Sequence, residues 1–408
     1  MKFNKILIGA TICSLFFVGC SSNDEKQKGT FDVFANVYDY GARVNKVVIE
    51  SPVVLDSESV NEETFTVSTN NKSNIGLEYE NGERIVQNVY VANEKGDKTD
   101  SGKFVVVELE TNLNSEFSDV LQWDDDRFSN EPLEILYNVK QNKDIMSDDG
   151  KKVSLDLEQD EFIQSVVDDF GEGKSSDGLH YRDYKPEKDE KKHPLIIWLH
   201  GAGEGGENNV THINGNKGAV AFTSDEAKEY FDNPYVLAPQ SPDYWMPEFS
   251  VGDLVLKGTN NTDKVISLIR EYIDNNEDID ENRVYIGGCS MGGYQTWEAL
   301  FEAPDLFAAA FPICAAYDVP EDKMDTVKNI PLWIAHTEID DTVPVEYSRK
   351  SYKYMKNLGS DVNYTEYPKV EVEGEDFESH AAWVYVLNNN AKTEEGISFF
   401  EWLSSQHK

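Results

Sequence analysis

The chain has 408 residues, 39% of them hydrophobic and 12% aromatic, with a formal net charge of −39. At about 150 residues per domain, that length predicts two or three domains with substantial cores. The charge excludes a nucleic-acid binder, since so acidic a chain repels phosphate, and it suits a neutral substrate better than an acidic one.

At the amino terminus, Lys2 and Lys5 precede an apolar run from Ile6 to Gly19. The run is too short and wrongly flanked for a spanning helix, so residues 1–19 are expected to be a secretory signal. Phe17-Val18-Gly19-Cys20-Ser21-Ser22 resembles a bacterial lipobox, with Phe17 where Leu is usual. Cys20 would then be the lipidated first residue of an extracytoplasmic protein anchored to the bacterial cell membrane, and residues 20–29 a polar tether.

From residue 30 to 140 the sequence alternates in strand fashion, as in Phe31-Asp32-Val33-Phe34-Ala35-Asn36-Val37 and Phe104-Val105-Val106-Val107-Glu108-Leu109, with Gly, Asn and Asp between the runs. This predicts an immunoglobulin-like β sandwich. The charged stretch 141–161 reads as a linker. Over residues 162–408 strand-like runs alternate with amphipathic stretches, such as 262–275 with Val265, Ile266, Ile269, Tyr272 and Ile273 on one face, which predicts an α/β domain with a mostly parallel sheet. Acidic clusters such as Asp124-Asp125-Asp126 and Asp148-Asp149 read as solvated surface, not as a calcium site.

The chemistry is concentrated in that second domain. Leu195-Ile196-Ile197-Trp198-Leu199 reads as a buried strand and runs into His200-Gly201-Ala202-Gly203-Glu204-Gly205-Gly206, a loop whose small residues let its backbone approach a substrate. Further on, Arg283-Val284-Tyr285-Ile286 feeds Gly287-Gly288-Cys289-Ser290-Met291-Gly292-Gly293. This G-x-S-x-G pattern between a strand and a helix is a nucleophile elbow, which presents a serine hydroxyl on a sharp turn. An elbow of this kind requires an acid and then a histidine downstream. Asp340 follows the strand-like Ile330–His336, and His380 follows Val362–Tyr367. Asp340-Asp341 alone would read as a solvated turn, and a histidine beside Trp383 as a packed one; their order and their placement after strands select Ser290, Asp340 and His380 as a triad. His200 and His336 read as structural histidines at strand ends. The backbone N–H groups of Met291 and Ala202, with Gly203 as the alternative to Ala202, are the expected oxyanion donors. Asp341 is expected to cap the turn toward Val343 and Pro344.

From about Tyr181 to Trp402 the chain resembles the extracellular bacterial esterases grouped with polyhydroxybutyrate depolymerases, feruloyl and acetylxylan esterases, a prolyl oligopeptidase-like type. The residues that carry the resemblance are Tyr181-Arg182, His200-Gly201-Ala202-Gly203, Ala238-Pro239-Gln240, the elbow, Pro312-Ile313-Cys314, His336 to Pro344, and His380 with Trp383. The resemblance implies an α/β-hydrolase fold, and esterases of this kind can carry an amino-terminal immunoglobulin-like domain. It selects Asp340 as the acid, four residues after the motif histidine. The chain departs from the pattern at Thr337, where Gly is usual, and in a longer acidic loop, Val370 to Ser379, before His380.

The expected function is hydrolysis of acyl esters, with acetyl or feruloyl groups on a polysaccharide or small esters as substrates, by a serine carboxylesterase that forms an acyl-enzyme. A prolyl oligopeptidase-type peptidase is the alternative, although its repeated propeller blades are not visible ahead of the hydrolase part. A catalytically idle binding lipoprotein is the third reading. No cofactor and no metal are expected. With Cys13 in the signal and Cys20 modified, Cys289 and Cys314 remain as a disulfide or, preferably, as two buried thiols. Trp245 is read either as lining the cleft or as core.

Overall fold

A computed structural model describes residues 26–251 and 254–408, so the signal, Cys20 and the first part of the tether lie outside the described residues. The described chain forms two compact units. The first comprises residues up to Asn36 with Arg43–Val120 and Leu133–Gln164; the second comprises Val37–Ala42, Leu121–Pro132 and Ser165–Lys408.

The first unit is built from β1 (Gln27–Tyr38), β2 (Gly41–Asp56), β3 (Phe65–Thr69), β4 (Val86–Ala92), β5 (Ser101–Leu109), β6 (Tyr137–Gln141) and β7 (Leu155–Gln164). One sheet runs β7-β1-β2-β5-β4, and β6 and β3 pair in another. Inward residues such as Val33, Val47, Ile49, Val67, Val105 and Val107 are fully buried, which accounts for the β-branched alternation of the sequence. The stretch read as a linker is largely structured. β7 pairs in parallel with β1 from Gln27↔Leu155 to Ala35↔Gln164. Its outward residues Asp156, Glu158 and Asp160 are exposed while Leu155 is buried, so the charge that suggested a join is the solvent face of a strand.

The second unit holds an eight-stranded sheet. Its members are β8 (Gly171–Lys174), β9 (His180–Tyr184), β10 (His193–Leu199), β11 (Tyr235–Gln240), β12 (Ile279–Cys289), β13 (Ala309–Ile313), β14 (Leu332–Thr337) and β15 (Val362–Tyr367), in the order β8-β9-β11-β10-β12-β13-β14-β15. The pairs from β11 through β15 are parallel, and β8 and β9 are added antiparallel at one edge. Every residue of β10 is buried, as expected for a parallel strand covered on both faces. Helix α1 (Thr262–Asn275) buries Val265, Ile266, Leu268, Ile269 and Tyr272, while α2 (Met291–Glu302) follows β12 directly. This is an α/β-hydrolase fold with an immunoglobulin-like amino-terminal β domain.

Two details decide between earlier alternatives. Cys289 and Cys314 are both buried free thiols. Trp245 is 0% exposed, so it is core; its indole N–H donates to the His200 carbonyl at 3.0 Å and its main-chain N–H donates to Met291 Sδ at 3.1 Å.

Candidate active site

The register of the parallel strands brings the two glycine-rich segments together. Leu199 at the end of β10 pairs with Gly288 in β12, so the loop that leaves β10 starts beside the elbow. A Cβ on Gly288 would lie 2.3 Å from the Leu199 carbonyl oxygen, and one on Gly292 would lie 1.9 Å from the same atom. Only glycine allows this approach. Between them Ser290 adopts φ 56° and ψ −115°, a strained conformation for an L-residue that lifts its side chain out of the strand-to-helix turn. Ser290 is half-buried, and its main-chain N–H donates to the Ile313 carbonyl at 2.9 Å.

Asp340 and His380 come from the loops after β14 and β15 and meet. His380 Nδ1 lies 2.6 Å from Asp340 Oδ2. A carboxylate accepts, so Nδ1 carries the proton and Nε2 has its lone pair free. Nε2 is buried and makes no hydrogen bond within the protein. The His380 ring stands edge-on to Trp383 at 5.5 Å.

Asp340 is held on both oxygens. Its Oδ1 accepts the main-chain N–H groups of Thr342 (2.9 Å) and Val343 (2.8 Å), and His336 Nε2 approaches Oδ2 at 3.0 Å. Burial opposes ionisation, but the bonds from His336 and His380 outweigh it and hold the carboxyl well below the usual carboxylate range. His336, read from sequence as a strand-end histidine, thus braces the acid. Its Nε2 also faces the Val343 carbonyl at 3.1 Å and must carry the proton, while Nδ1 pairs with the Ser348 hydroxyl at 2.7 Å. The turn cap expected of Asp341 is made by Asp340 instead. Asp341 is exposed and its Oδ1 accepts the Ser379 hydroxyl at 2.7 Å, tying the acid loop to the residue before His380. Thr337 contributes to the same tie, because its hydroxyl donates to the Ser379 carbonyl.

Cys314 lies at the centre of this group. Among the described residues, its Sγ, an Asp340 oxygen and a His380 nitrogen form the one cluster of metal-ligand type, all within 4.8 Å of one another. Acid and base thus both approach this thiol. Burial pushes the Cys314 thiol up, and the nearby Cys289 and Asp340 push it further, so the thiol is a neutral packing group.

Met291 is the first residue of α2, and Ala202 opens a 3₁₀ turn over Ala202–Glu204. N–H groups at such starts have no partner within their own helix, which makes both available to an anion. A cleft of about 520 Å³ borders Ala202 and is lined also by Asn208, Asp243 and Tyr244, and by Asp126 and Arg127 of the hairpin Leu121–Asp124/Ser129–Glu134. The Tyr244 hydroxyl donates to the Arg127 carbonyl, and Phe128 packs edge-on against Phe249 with centroids 6.2 Å apart.

Comparison with known proteins agrees with this architecture. Residues 31–154 match the esterase Ig-like N-terminal domain, and residues 186–380 match the phospholipase/carboxylesterase family. A thermostable esterase of known crystal structure is 32% identical, with a TM-score of 0.79 over 93% of this chain and 99% of its own. Weaker similarities are to a feruloyl esterase module from Clostridium thermocellum (14% identity, 54% of this chain and 85% of its own, TM-score 0.40) and to an acylaminoacyl peptidase from Pyrococcus horikoshii (20% identity, 49% and 36%, TM-score 0.35). A search of curated proteins found no match. The chain belongs to the phospholipase/carboxylesterase family of α/β-hydrolases, as a serine ester hydrolase with an esterase Ig-like amino-terminal domain.

Proposed function

We propose that the protein is a secreted, lipid-anchored carboxylesterase that removes acyl groups from carbohydrate or from small alcohols through an acyl-enzyme. The observation that carries the reaction is the bond between His380 Nδ1 and Asp340, which leaves a buried Nε2 free as base. His380 Nε2 takes the proton from the Ser290 hydroxyl as Oγ attacks the ester carbonyl, and Asp340 stabilises the imidazolium. The tetrahedral oxyanion is bound by the N–H groups of Met291 and Ala202. On collapse the C–O bond to the alcohol breaks, the imidazolium protonates the leaving alkoxide, and Ser290 is left acylated. His380 then deprotonates a water that attacks the acyl carbon, which releases the carboxylic acid and returns the proton to Ser290.

A hydroxyl-rich alcohol suits the cleft beside Ala202, where Asp126, Glu131, Asn208 and Asp243 offer acceptors. The acidity of the whole chain disfavours an anionic acyl donor. The test is a panel of acetyl, feruloyl and longer-chain esters beside proline-containing peptides. Ser290→Ala is expected to abolish ester turnover and labelling by a fluorophosphonate probe; activity within tenfold of the parent would refute the nucleophile, and peptide cleavage in preference to esters would refute the substrate class. The lipid anchor is tested by Cys20→Ala, which should release the protein from the membrane fraction or stall its processing. Unchanged membrane association with full maturation would remove the anchor from the proposal.

A further inference from the structure

Acidic side chains normally stay in water, yet Glu204, on the loop beside the elbow, is only 9% exposed. The 3₁₀ turn Ala202–Glu204 has Gly201 as its N-cap, and Glu204 is its third residue. The Glu204 carboxyl reaches back against Gly201, whose main chain favours the charged form of the carboxyl. It is closely enclosed: a Cβ on Gly201 would lie 3.1 Å from Oε2, and one on Gly215 would lie 2.6 Å from Cγ and 3.1 Å from Oε1. The Glu204 carbonyl is also fixed, accepting the Thr211 hydroxyl and the Gln240 amide, each at 3.0 Å.

The other side of Gly201 is held by His200. The Ser241 N–H donates to His200 Nε2 at 3.0 Å, so Nε2 is unprotonated, and Nδ1, 2.7 Å from the Gly201 carbonyl, is the donor. The Gly201 carbonyl and the Ala202 N–H belong to one planar trans peptide, so fixing the carbonyl fixes the direction of the N–H. Gly201 is thereby backed by the Glu204 carboxyl and held at its carbonyl by His200. What this grip aims is the Ala202 N–H.

We infer that Glu204 is a positioning residue for ester hydrolysis, its carboxyl holding Gly201 so that the Ala202 N–H points at the oxyanion. This rests on the reading of Ala202 as an oxyanion donor. Removing such a donor outright costs about 10²–10³ in kcat, so misaiming it is expected to cost on the order of tenfold or more. The side chain touches no substrate, so KM should stay within about twofold.

The experiment compares Glu204→Ala, Glu204→Asp and Glu204→Gln on one activated ester, with active sites counted by fluorophosphonate titration and folding followed by thermal melts. Glu204→Ala and Glu204→Asp, which lack the acceptor or fall short of Gly201, should lower kcat per titrated site roughly tenfold or more at nearly constant KM. Glu204→Gln, which keeps an acceptor at the same reach, should recover most of that loss. The titration scores only folded sites, so partial unfolding of one variant does not affect the comparison. Unchanged kcat per site in Glu204→Ala and Glu204→Asp, a change confined to KM, or a loss in Glu204→Gln equal to that in Glu204→Ala would overturn the inference. Failure of the esterase reading itself would show separately, as a wild-type protein that is not labelled at Ser290.

Discussion

Replacing Glu204 with Gln should change how stability depends on pH. Burial, opposed by the Gly201 main chain and reinforced by the charge of Glu378, raises the Glu204 carboxyl from 4.5 to about 7. The folded state therefore keeps a proton that the unfolded chain loses, and in that window stability falls as pH rises. The effect starts above pH 4.5, is complete a little above pH 7, and amounts to about 3 kcal/mol at 1.36 kcal/mol per unit. Gln cannot ionise, so Glu204→Gln should gain about that much on the parent between pH 4.5 and pH 8, or roughly 6–12 °C in melting temperature for a unit of this size. Titrating groups that do not interact with Glu204 are common to both proteins and cancel in the difference; Glu378 and the Cys289 thiol, which are coupled to its charge, are relieved in the variant, which adds to the gain. The assay is convenient because all seven tryptophans lie in the second unit, so their fluorescence follows its unfolding without a signal from the first. Parallel melting curves for parent and variant at pH 5, 6, 7 and 8 would refute the reasoning, since they would mean that Glu204 ionises in the fold as readily as in water.

Asp340→Asn should lower kcat on the order of 10⁴, because the amide favours the wrong imidazole tautomer; Asp341→Asn, which keeps an oxygen for the exposed bond from Ser379, should cost less than tenfold on the same ester, and the reverse ranking would move the acid to Asp341. Gly292→Ala should destabilise the protein by about 3 kcal/mol or more, because the new methyl would sit 1.9 Å from the Leu199 carbonyl oxygen and 2.7 Å from that of His200, neither of which can rotate away. A melting temperature within about 2 °C of the parent would show that the strand end yields.

Features set by local pattern were legible in the sequence. The apolar face of 262–275 gave α1 its bounds, the continuous apolar run 195–199 marked a strand covered on both faces, and the order of Asp340 and His380 along successive strands anticipated that these two side chains would meet. Features set by what folds against a residue were not. β7 was obscured by its own exposed carboxylates, since charge on alternate positions reads the same in a strand as in a linker. His336 looked structural because nothing local shows that the chain turns back to place Asp340 Oδ2 3.0 Å from its ring. Glu204 sits among glycines that suggest only backbone approach, and its burial depends on Gly215 and Gln240, which come from more distant parts of the chain.

The second unit is assembled from pieces far apart in the order of synthesis. Residues 121–132 leave the ribosome well before their partners, and at about 5–20 residues per second Phe128 waits on the order of ten seconds for Phe249, and the Arg127 carbonyl about as long for Tyr244. Trp123 and Phe128 meet edge-on at 4.8 Å in the finished fold, and during that interval Phe249, which packs on Phe128, has not yet been made. The nascent chain thus carries a small aromatic flag through nearly a third of its elongation. A chaperone that recognises such surface would find one site on this protein at the hairpin, and completing the fold there requires later-made loops to close onto a segment made long before.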